Sequence, residues 1–107
     1  MKVEFENMNK ADQVLIRTQN SEYCFEVLDP QERRGLLTGG SLGGQMRDAV
    51  LIGAVPEGAN RVSDPLSVRT GARAMFFMNA KNGVERLITS VITEIKHLRN
   101  KERMRVA

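Results

Sequence analysis

The chain has little of most things that announce a function. Tryptophan is absent, and histidine, cysteine and tyrosine each occur once in 107 residues. A single cysteine, Cys24, excludes an intrachain disulfide and a thiolate-rich metal site. It also suits a reducing compartment, with the cytoplasm as the default address. No stretch approaches the roughly 18 consecutive apolar residues of a membrane helix, so no membrane partner is expected. The opening residues Met1-Lys2-Val3-Glu4-Phe5-Glu6 carry acids where a secretory signal carries its apolar segment. With one histidine and one cysteine, a metal site would have to be all-oxygen. Asp29, Glu32, Asp48, Glu57 and Asp64 lack the alternating spacing of a calcium loop. Neither a metal nor a cofactor is expected.

What is present describes one small domain. The apolar fraction of 41% is ordinary for a globular chain. A chain of this size buries roughly 65% of its unfolded surface without needing staples. Phe5, Tyr23, Phe25, Phe76 and Phe77 are the whole aromatic supply, so Leu, Ile, Val and Met must fill most of the core. The net charge of +3 is concentrated at one end. There Lys96, Arg99, Lys101, Arg103 and Arg105 face only Glu102, while the body is close to neutral. The expected division is a folded domain over residues 1–98 and a polar, basic tail over 99–107.

The strongest structural signal is Lys81-Asn82-Gly83, flanked by β-rich runs on both sides. Asn-Gly takes positive φ readily, as a type I′ hairpin turn requires, so the runs before and after it are expected to pair as antiparallel strands. Gln13–Gln19 and Glu22–Leu28 form a second expected hairpin through Asn20-Ser21. In its second arm Tyr23, Phe25 and Val27 share one face and Glu22 and Glu26 the other. Asp29-Pro30 ends that strand. Leu36-Leu37-Thr38, Arg47–Val55 and Leu66-Ser67-Val68 read as further strands, and 56–65 as the longest loop. Residues 84–98 carry two patterns at once. Val84, Leu87, Ile88, Val91, Ile92, Ile95 and Leu98 fit a helical spacing, whereas β-branched content and the preceding Asn-Gly favour strand, which is the reading adopted. About six strands then point to an all-β fold, a small antiparallel barrel of SH3-like or OB-like type.

The order of features from Arg69-Thr70-Gly71-Ala72-Arg73 through the hairpin to Thr89-Ser90-Val91-Ile92-Thr93-Glu94-Ile95 resembles the C-terminal half of small, uncharacterised bacterial β proteins. Those proteins end in a Thr-Ser-x-Val-like strand. The resemblance covers about a quarter of the chain; it implies strand over residues 84–95 and transfers no site.

No side-chain constellation stands out as catalytic. His97 lies among Lys96, Leu98 and Arg99, with Glu94 the only acid nearby, and reads as an exposed, idle side chain. Cys24, between two glutamates on its face, lacks the electropositive setting of a reactive thiol. Gly39–Gly44 has no Gly-Lys-Ser/Thr and leads into a strand, so it reads as a connection rather than a phosphate cradle. The arginines carry the one functional hint. Arg73 and Arg86 fall on the two arms of the central hairpin, and Lys96, Arg99, Lys101, Arg103 and Arg105 add positive charge beyond it. These are the expected partner contacts of a non-enzymatic, protein-binding module, a monomer or weak homodimer. The alternative is a nucleic-acid-binding barrel that uses the same arginines and the basic tail.

Overall fold

A computed structural model describes residues 1–100 of the chain. Among them are nine strands: β1 (Lys2–Glu4), β2 (Gln13–Thr18), β3 (Glu22–Asp29), β4 (Arg34–Gly39), β5 (Arg47–Val55), β6 (Ser67–Arg69), β7 (Arg73–Ala80), β8 (Gly83–Ile88) and β9 (Ile92–Leu98). Single 3-10 turns lie at Phe5–Asn7 and Gly40–Leu42. Among the described residues no helix is long and apolar enough to cross a membrane. Seven strands form one antiparallel sheet in the order β8-β7-β5-β4-β3-β2-β9, and β1 pairs separately with β6.

Alternation dictates which face is buried. In β3, Tyr23, Phe25 and Val27 point inward and Cys24 and Glu26 are half-buried on the other side. The inward residues of β2, β4, β5 and β7 meet them, with Phe25 and Phe76 at the centre, both fully buried and their ring centroids 5.6 Å apart. The second hairpin forms with Arg17 opposite Glu22, but its turn is displaced from the expected Asn20-Ser21: Thr18 N–H donates to the Ser21 carbonyl at 2.8 Å, so Gln19 and Asn20 are the two loop residues. β5 spans Arg47–Val55 as anticipated. The central hairpin also forms, but its turn sits one residue earlier than Asn-Gly predicts. Ala80 pairs with Gly83, so Lys81 and Asn82 are the two loop residues. Gly83 alone takes the positive φ, 133°, so the turn is not type I′.

Residues 84–98 are strand, divided by Thr89-Ser90-Val91 into β8 and β9. The helix-like spacing of Ile92 and Ile95 has a local cause. A bulge opposite Arg17 and Thr18 leaves Thr93 as an extra residue in β9, so Ile92 and Ile95 both point inward although three positions apart. The expected closed, six-stranded barrel of SH3-like or OB-like type is not found. β8 and β9 end the seven-strand ladder at opposite sides. The described backbone links from β9 toward β7 lie at Ile92, whose N–H donates to Ala72 O (2.8 Å) and whose carbonyl accepts from Gly71 N–H (2.9 Å). One residue with two bonds is a tether, not a ladder. The N–H of Asn100 donates to Asp12 Oδ1 at 2.7 Å, so residues 99 and 100 belong to the folded body.

Close packing makes one glycine irreplaceable for a reason other than φ. A Cβ on Gly35 would stand 2.2 Å from the Glu26 carbonyl oxygen and 2.8 Å from the Phe25 ring. Gly35→Ala is therefore expected to lower stability by about 1–3 kcal/mol, since neither backbone nor core ring can yield cheaply. Gly44→Ala, where a Cβ meets open space, should stay within about 0.5 kcal/mol of wild type in the same urea titration.

Candidate functional site

The outer face of the sheet carries the exposed aromatic. Lateral pairing places Arg34 beside Val50, Val50 beside Phe77, and Phe77 beside Arg86, in one row across four strands. Phe77 is 40% exposed and Val84, next to it on β8, is 68% exposed. Arg34, Val50, Phe77, Met78 and Val84 border a shallow apolar groove of about 240 Å³. Arg34 pairs with Asp48 at 3.5 Å, and Arg47 donates to the Asn79 carbonyl (2.9 Å) and to Glu85 (3.4 Å). Arg86 makes no ion pair among the described residues.

β8 borders this groove as an edge. Its hydrogen-bonding phase is fixed by the Thr89 N–H, which donates to the Ala74 carbonyl at 2.9 Å. Bonded pairs in an antiparallel ladder recur every second residue, so Leu87, Glu85 and Gly83 bond toward β7. The N–H and C=O groups of Val84, Arg86 and Ile88 consequently point away from the sheet.

The arginines singled out from sequence do not form one cluster. Arg86 stands opposite Phe77, whereas Arg73 lies four residues along β7 and pairs with Val55. Arg73 is half-buried rather than a surface contact. Its guanidinium donates to the Ala59 carbonyl, and its Nε is buried without a partner among the described residues. It is a strut that holds the 56–65 loop against β5, a loop also fixed by Ala54 N–H donating to Asp64 O at 2.9 Å. Lys96 is exposed beside Leu15, and Arg99 follows the end of β9, at the opposite side of the strand order from Arg86. Lys101, Arg103 and Arg105 lie outside the described residues.

His97 overturns its expected idleness. Its Nε2 lies 2.8 Å from Oδ2 of Asp12, and the side chains are only 9% and 1% exposed. Asp12 also accepts from the N–H of Asn9 (2.9 Å) and of Asn100 (2.7 Å). Burial works against its charge, but the Asn9 N–H, the His97 ring and the Asn100 N–H outweigh burial and hold the carboxyl below its ordinary value. The network fastens the end of β9 to the turn before β2. The adjoining cleft of about 260 Å³ is lined by Met1, Lys2, Val3, Glu4, Asn7 and Arg99 besides the histidine, with no hydroxyl or thiol side chain to activate. Sequence reading missed this pair because its partners are 85 residues apart and follow no pattern.

No protein-family model, no curated protein and no solved structure matches this chain. Residue roles therefore rest on its own geometry.

The Asp12 network sets a pH dependence. A carboxyl held low in the folded state contributes stability that is complete above its unfolded pKa of about 3.9 and is lost as pH falls through the lower folded value. Asp12→Asn is expected to cost about 1–3 kcal/mol near neutral pH, because buried donors lose their charged acceptor. The gap to wild type should shrink below about pH 4. Urea titrations from neutral to strongly acidic buffer check both; a gap that persists in acid contradicts the assignment.

Proposed function

We propose that this chain is a non-enzymatic interaction module that binds another protein, itself a monomer or at most a weak homodimer. The observation that carries the reading is β8, an exposed strand whose outer ladder groups face away from the sheet, beside Phe77 and Val84. Extended segments add to such edges through main-chain hydrogen bonds, while neighbouring side chains select the sequence. The cleft beside the Asp12–His97 pair is lined by no hydroxyl or thiol side chain among the described residues, which supports a role without catalysis. Cytoplasmic residence belongs to the same proposal.

Site-specific photo-crosslinking tests it. A benzophenone amino acid in place of Val84 should trap a protein adduct in cells that express the chain. The same probe in place of Leu66, exposed on the short β1–β6 side, should not. Adducts at both positions, or at neither, contradict the reading.

A second reading, binding of single-stranded nucleic acid, is favoured by the row Arg34–Val50–Phe77–Arg86, which sets an exposed aromatic ring among guanidinium groups. The basic Lys96 and Arg99 lie beyond β2 from that ring. This reading requires affinity that falls steeply with salt as counterions return. The module reading expects titration of labelled oligonucleotides at low salt to give no binding tighter than about 10⁻⁴ M. Tighter, salt-sensitive binding that Phe77→Ala removes would favour nucleic acid instead.

A further inference from the structure

We propose that the β8 edge receives an extended segment of another protein in which an acidic residue is flanked, two positions away on each side, by apolar residues. This rests on the interaction-module reading and names its occupant. Three observations select that chemistry. Val84, Arg86 and Ile88 direct their ladder groups outward and share the outer face with Phe77. A strand added there sets its own side chains directly beside these three, at the spacing where cross-strand pairs interact. Arg86 is the cation at the centre of that row and makes no ion pair among the described residues. Arg34, the other arginine of the row that holds Phe77, is already engaged by Asp48. An acid opposite Arg86 is therefore the complementary choice, and apolar residues suit Val84 and Ile88. A large apolar side chain opposite Val84 can lean across it into the groove bordered by Val50 and Phe77.

The same hydrogen-bonding phase disfavours a second copy of this chain. In a two-fold antiparallel β8–β8 ladder, hydrogen-bonding phase allows only registers that match outward residues with outward residues. The two that use most of the strand centre on Arg86 or on Glu85, which sets arginine against arginine or glutamate against glutamate. Like charges directly opposite each other destabilise a sheet pair. The other edge strand, β9, is partly occupied, since Ile92 bonds to Gly71 and Ala72.

Panning a displayed library of random linear dodecapeptides on the immobilised full chain tests the proposal, followed by fluorescence anisotropy with the recovered peptides. The expected sequences alternate apolar, acidic and apolar at every second position. Arg86→Glu should weaken them by roughly tenfold and restore binding to versions with lysine in place of the acid. Val84→Pro should abolish binding while leaving the β7–β8 ladder and the urea midpoint unchanged, since the lost N–H points outward. Recovered peptides that ignore both substitutions would overturn the β8 assignment yet leave a protein-binding module elsewhere on the surface. Failure to recover any peptide overturns this proposal alone, because the module reading stands or falls with the crosslinking at positions 84 and 66. A concentration-dependent dimer that Val84→Pro dissociates would make a second copy the occupant and overturn the acidic-segment assignment.

Discussion

Everything in this molecule depends on burying one face of a seven-stranded sheet with very few aromatic side chains. Four of the five aromatics, Phe5, Tyr23, Phe25 and Phe76, are committed to the interior. Strict alternation in β2, β3 and β4 delivers branched aliphatics to complete the core around the Phe25–Phe76 contact. A one-residue slip in any of these strands would carry its whole inward set to solvent, so register and core are one constraint. Under that constraint, an aromatic ring left 40% exposed at Phe77 is a departure that the core does not explain. It marks the face where a functional reading starts.

The sheet treats its two edges differently. The β9 side is fastened: Asp12 gathers His97, Asn9 and Asn100, and Ile92 is tethered to the lead-in of β7. The 56–65 loop, held by Arg73, covers the end of β5. The β8 side keeps an exposed strand beside exposed apolar residues. Natural sheets guard such edges with charge, and Arg86 at mid-strand disfavours self-pairing here. A charge that repels a second copy is also one that an acidic partner satisfies, so protection and recognition can share the same residue.

Local signals in the sequence are legible where they rest on short-range physics. The existence of both hairpins, the break at Asp29-Pro30 and the apolar run of β5 follow from turn residues and alternation between near neighbours, although each two-residue turn lies one position earlier than its turn residues suggest. Features that depend on distant residues were not legible. β1 is three residues long, and its partner β6 comes more than sixty positions later. Asp12 and His97 are isolated polar residues until the sheet brings them together. The bulge at Thr93 sets Ile92 and Ile95 on one face three positions apart, a spacing that imitates a helix, because periodicity records which residues are apolar and not how the backbone orients them. Arg73 and Arg86 looked equivalent because both lie on the central hairpin. Their separation appears only once the register sets Phe77, not Arg73, against Arg86.

The central claim is that β8 offers a vacant ladder to a partner. Amide hydrogen exchange resolved by residue in the isolated chain tests it most directly. The N–H groups of Glu85 and Leu87 should exchange slowly, and those of Val84, Arg86 and Ile88 at rates close to an unprotected chain. Uniform protection along β8, or protection in the opposite phase, would mean that the edge is already covered, and the account would fail.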